Sequence, residues 1–159
     1  MTPTEKDAWK QFWAIILCAV SLYMVLAAIF PRQAQAEEPT LWITSGMWSQ
    51  HPNEDHYHYN QTNYGWGLAY ENGNHTWVAG RYDNSLNQDS KYIGVINQPW
   101  RYRDLRFGYL AGFVSGYTKT PKFQMAVAPV VSYEYQNVGF NVIWVPSVVI
   151  AVQVKVKVF

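Results

Sequence analysis

From Val148 to Val158 the chain reads VVIAVQVKVKV. Val148, Ile150, Val152, Val154, Val156 and Val158 share one parity, and Gln153, Lys155 and Lys157 share the other. Successive side chains of a strand point to opposite faces. The segment is therefore predicted to be a strand with one apolar face and one charged face. Such a strand suits a wall between hydrocarbon and a polar interior. A soluble sandwich also alternates, so the rest of the chain must decide between them.

The same period recurs along the chain, and no helical period persists after residue 40. Eight runs are read as strands: 41–49, 63–71, 75–84, 90–98, 105–117, 123–135, 137–146 and 148–159. Asn72-Gly73-Asn74 and Gln136-Asn137 are predicted hairpin turns, and Pro99, Pro121 and Pro146-Ser147 punctuate other connections. Tyr64, Trp66, Leu68 and Tyr70 fall on one face, as do Met125, Val127, Val131 and Tyr133. Val138, Phe140, Val142 and Trp144 do the same.

Composition favours the membrane reading. Charged residues make up 14% of the chain, against about 25% in soluble domains. Aromatic residues make up 17%, with 8 Trp and 12 Tyr, the amphipathic rings that gather at membrane interfaces. A formal charge of +1 argues against a nucleic-acid partner, which needs a basic stripe. The single cysteine, Cys18, excludes a disulfide framework and a cysteine zinc site. His51, His56 and His58 with Glu54 and Asp55 match no fixed ligand spacing, so neither metal nor cofactor is expected.

Residues Phe12 to Phe30 carry no formal charge, follow Lys6 and Lys10, and precede Ala34-Gln35-Ala36. That order describes a secretory signal peptide over 1–36, with a mature domain over 37–159. A retained membrane anchor is the alternative. Open sheet edges are intolerable in lipid, so exported strands of this kind must close. The expected fold is all-β: an eight-stranded antiparallel transmembrane β-barrel preceded by a signal peptide, in the bacterial outer membrane.

Parity then describes the lumen. Gly65, Gly67, Gly108, Gly112, Gly116, Ala126, Ala128 and Gly139 point inward. With the N-terminus periplasmic, strand direction puts Gly65, Gly67, Val114, Gly116, Ala126, Ala128, Ile143, Val145, Val149 and Ala151 in the outer half. It puts Glu71, Arg106, Glu134, Lys155 and Lys157 in the inner half. The expectation is an apolar cup above a charged plug, with Arg81 and Asp83 as inward exceptions near the outer end. The cup would take a lipid chain against Gly65, Gly67, Gly112, Val114, Ala126 and Ala128. Large neighbours such as Leu110 and Val130 could instead fill it. Pro129 and Pro146 each remove a ladder donor and are expected to open a sideways path for lipid.

Several segments resemble the outer-membrane lipid A palmitoyltransferases, the PagP family. They are the Trp-containing first strand leading to His51, YGWGLAY over 64–70, Tyr82-Asp83-Asn84-Ser85, and PVVSYEYQNVGFNVIWVP over 129–146. The resemblance implies transfer of an acyl chain from a phospholipid to lipid A by a monomeric barrel. It places the family's histidine on His51 and its serine on Ser85. The family's aspartate position falls on Asn84, with Asp83 one residue earlier. A histidine suits the task of taking a proton from the attacking hydroxyl, because it titrates near neutrality. Hydroxyl or amide donors would stabilise the oxyanion. The alternative is a non-enzymatic barrel with a binding, blocking or structural role at the cell surface.

Overall fold

The computed structural model describes residues 38–52, 58–117, 123–146 and 148–158. Eight strands follow one another: β1 (Thr40–Gln50), β2 (Thr62–Asn72), β3 (His75–Asp83), β4 (Asp89–Tyr102), β5 (Leu105–Val114), β6 (Gln124–Tyr135), β7 (Val138–Val145) and β8 (Val149–Lys157). Each pairs antiparallel with its neighbour in sequence, and β8 pairs with β1. The fold is the closed eight-stranded antiparallel β-barrel that the alternation predicts. Among the described residues there is no helix. The leader expected over 1–36, the predicted turn at Pro121 and the terminal Phe159 lie outside the described residues.

Short turns gather at one end. Gly73 (φ 60°) and Gln136 (φ 53°) take the left-handed conformation that tight hairpins need. The segment 99–104 looks too long for a turn in the sequence, and the structure corrects that reading. β4 continues through Pro99 to Tyr102, and the turn is Arg103-Asp104. A register shift between Asn97 and Trp100 leaves Pro99 out of the ladder, where its missing N–H costs nothing. At the other end β5 stops at Val114, not 117, because Gly116 turns the chain away at φ 89°.

The exterior carries the apolar face. Tyr64 is 74% exposed and Met125 76%, and Trp66, Phe113, Val127, Trp144 and Val156 stand out beside them. β3 departs from the expected parity. Tyr82 points inward, while Arg81 and Asp83 face outside. Trp77 and Val78 give this strand large apolar groups on both faces, so alternation alone does not orient it. Outside, Arg81 bridges Asp89 at 3.2 Å across the β3–β4 ladder.

The interior is layered. Nearest the short turns, Arg106 pairs with Glu71 and reaches Glu134 at 3.4 Å. Lys155 pairs with Glu134 and reaches Glu71 at 3.6 Å. Two cations and two carboxylates thus form a neutral plug, as parity predicts, except that Lys157 is exposed at the rim. Burial of Glu71, Arg106 and Lys155 is tolerable only because each has an opposite partner. The Lys155 ammonium also sits 4.4 Å from the centre of the Trp42 ring. A hydrogen-bonded belt adjoins the plug. Gln98 donates to Ser132 at 2.8 Å, Ser132 donates to Asn141 at 2.7 Å, and Asn141 donates to Gln153 at 3.3 Å. Trp42, Ala69, Val78, Ile96 and Val130 pack as an apolar core.

Candidate functional site

A cavity of about 410 Å³ occupies the long-loop half of the barrel. Its wall is mainly apolar, built from small inward residues on β4, β5, β6 and β8: Gly94, Gly112, Ala126, Ala128 and Ala151. Leu110, Ile143, Val145 and Val149 complete the wall, and Gln153 of the belt belongs to the floor. Leu110 therefore narrows the cup without filling it. Gly94 and Gly112 face each other across the β4–β5 ladder. A Cβ on Gly112 would come within 2.7 Å of the Gly94 backbone, so the pair keeps this part of the wall thin.

Gly65 and Gly67 do not line the cavity, although the sequence places them there. A Cβ on Gly65 would strike the paired strand itself, at the Arg81 carbonyl and at Tyr82 Cα 2.6 Å away, and one on Gly67 would strike the Tyr92 hydroxyl. Tyr92 lies over Gly80 and Gly67 and ends 3.3 Å from Thr44 Oγ1. Gly67 on β2 and Gly80 on β3 thus seat a ring from β4, while the glycines on β4 and β5 leave open volume.

The polar rim belongs to the long-loop end. His51 follows β1, is buried, and lines the cavity. Its ring stacks on Tyr59 with centroids 4.2 Å apart and planes 18° from parallel. Ser85 lines the same cavity from the β3–β4 loop. The two loops are tied together, since the Asn60 N–H donates to the Ser85 carbonyl at 2.9 Å. Ser49 donates to Asn63 at 2.6 Å, and Asn63 donates to the Asp83 carbonyl at 3.0 Å, which fixes β1, β2 and β3 at the rim. Tyr82 and Tyr117 add hydroxyls 2.9 Å apart. Loss of hydration raises the Tyr117 phenol above its ordinary value, so it is a neutral hydroxyl at physiological pH.

His51 and Ser85 both line the cavity, whereas Asp83 and Asn84 do not. Asp83 faces the exterior of β3. Asn84 is fully buried, and its amide is spent on the loop. It donates to Ser90 at 2.9 Å and to the Gly116 carbonyl at 2.8 Å. Its oxygen accepts from the Leu86 and Gln88 N–H groups at 2.8 and 3.0 Å. Among the described residues, no aspartate or glutamate lines the cavity.

Pro129 and Pro146 stand beside a seam. β6 pairs with β7 only from Val130–Ile143 to Tyr135–Val138, whereas β6 pairs with β5 from Tyr133 to Gln124. The ladder between β6 and β7 therefore ends one residue from Pro129. Met125 and Val127 of β6 and Val148 beside β8 stand exposed on the exterior, yet also belong to the cavity lining.

Sequence reasoning missed Tyr82, Tyr92 and Tyr117. Glycine-rich β2 signalled close packing, but the tyrosine that fills the space over Gly67, Tyr92, comes from β4. No protein-family model and no curated protein matches the chain.

Proposed function

We propose that the protein is a PagP-like outer-membrane barrel, exported by the leader over 1–36, that draws one acyl chain of a membrane lipid into its outer half. The supporting observation is the apolar cavity with His51 and Ser85 on its lining at the long-loop end. The aromatic and aliphatic exterior suits hydrocarbon, since a soluble barrel would place its polar face there. The ion-paired plug closes the other half, so the cavity opens toward the long loops and toward the β6–β7 seam. Lipid from the outer leaflet has the shorter path to both.

In the transfer reading, His51 takes the proton from a lipid A hydroxyl as that oxygen attacks the ester carbonyl of a phospholipid. The new ester forms, the old C–O bond breaks, and the lysophospholipid leaves with the proton. Ser85 supplies a hydroxyl at the rim. The test is mass spectrometry of lipid A from cells expressing the protein. An added acyl chain that is lost in His51→Ala and Ser85→Ala supports the enzyme.

A second reading has its own observation. The amide of Asn84 is committed to the loop, and Asp83 faces outward, so neither residue at the family's aspartate position is turned to the cavity. That arrangement favours a non-enzymatic barrel that binds lipid. Unchanged lipid A, together with a co-purifying lipid whose chain is displaced by filling the cavity, would select it.

A further inference from the structure

We infer that Tyr82 and Tyr117 form a receptor for the ester carbonyl of the lipid whose chain fills the cavity, an inference that rests on the acyl-chain reading above. Tyr82 comes from the end of β3 and Tyr117 from just beyond β5, and the two strands are separated by β4. Closure of the barrel brings their hydroxyls to 2.9 Å at the rim. Both line the cavity, as does Ser85, which lies beside Tyr117. Two phenols carry two hydrogens, and the bond between them spends one. The remaining hydrogen suits an acceptor, and a phenol has no counter-charge to attract a cation. Below this dyad the wall is apolar, so a ligand that inserts a hydrocarbon tail carries its first polar group to this level. In an acyl lipid that group is the ester carbonyl, an acceptor without a donor. A free alcohol or an ether at that level offers a weaker match. The dyad thus reads the ester linkage, while the wall of small residues reads the chain.

Tyr82 is also held rigidly, which a receptor requires. It is buried, and its ring packs at 5.9 Å against Tyr92. Preorganised donors lose little entropy when the ligand arrives. Tyr117 is the more exposed partner and stands nearer the opening.

The experiment compares two probes on the full mature barrel in an alkyl glucoside: a lysophosphatidylcholine with an ester-linked chain, and its ether-linked counterpart of equal chain length. Affinities come from native mass spectrometry. The expected result is an ester-to-ether affinity ratio of roughly ten for the wild type, the size of one hydrogen bond. In Tyr117→Phe the ratio should fall to about one, again at the scale of one hydrogen bond. Tyr82→Phe is the second variant, since it keeps the ring against Tyr92, and the same fall is expected. A wild-type ratio near one, or a ratio unchanged in both variants, overturns the carbonyl receptor while leaving chain binding intact. Failure of both probes to bind the wild type overturns the acyl-chain reading itself, and the receptor with it.

Discussion

The hydroxyl of Tyr92, on β4, lies 3.3 Å from Thr44 Oγ1, on β1. Two strands intervene, and both carry glycine where the ring passes, Gly80 on β3 and Gly67 on β2. The contact links β4 to β1 along the inside of the wall. It depends on the two strands having no side chain at that level.

Gly67→Ala should therefore destabilise the barrel. The added Cβ meets the Tyr92 hydroxyl and lies 2.7 Å from the Ala79 carbonyl, which cannot move without breaking the ladder. Overpacking of this kind costs about 1–3 kcal/mol. Urea unfolding in lipid vesicles should show the loss. Gly73→Ala is a poor control, since its φ of 60° brings a separate strain.

Arg106→Met should be among the most damaging substitutions. It leaves Glu71 buried and deprived of its nearest cation, and removes the bond to the Gly73 carbonyl at 2.7 Å. Breaking a buried pair from one side costs about 3–5 kcal/mol. Arg106→Met combined with Glu71→Met should recover most of that, because Glu134 keeps Lys155. A double-mutant cycle measured by equilibrium unfolding checks the coupling, and simple additivity of the two losses would contradict it.

Asn84→Asp should not improve function, although it installs the residue type that the PagP resemblance calls for. A carboxylate still accepts from Leu86 and Gln88 but cannot donate to Ser90 or to the Gly116 carbonyl. The Gly116 carbonyl would face a negative charge. A loss of about 1–3 kcal/mol is expected, from a buried acceptor left without its donor. Thermal melting and lipid A analysis should both show decline.

Ala128→Phe should occupy the cavity. Ala128 is 3% exposed and belongs to the lining, so the ring has no exit except into the open volume. Retention of an acyl lipid through purification should fall at least tenfold, equivalent to about 1.4 kcal/mol of lost binding. The barrel should still form, judged by its gel mobility before and after heating.

Pro129→Val should restore a ladder donor beside the point where β6–β7 pairing ends. If the seam is the path for lipid, exchange of a bound acyl chain should slow while equilibrium affinity changes little. Stopped-flow displacement with a fluorescent lipid measures both.

Much of this molecule was legible residue by residue. Alternation located all eight strands, and parity sorted Tyr64, Trp66 and Met125 outward and Glu71, Arg106, Glu134 and Lys155 inward. These are consequences of strand geometry, which each segment carries alone. β3 shows the limit. Trp77 and Val78 are both bulky and apolar, so nothing local says which faces the lumen, and Arg81 and Asp83 were placed on the wrong side. Which inward residues touch was settled only by closure. Gly67 reads as empty space in the sequence, yet it seats Tyr92 from two strands away. Tyr82 and Tyr117 are thirty-five positions apart and meet only because the sheet wraps round. The physical reason is range. The face on which a side chain stands follows from its own backbone. What it meets across the lumen depends on the register of all eight ladders together.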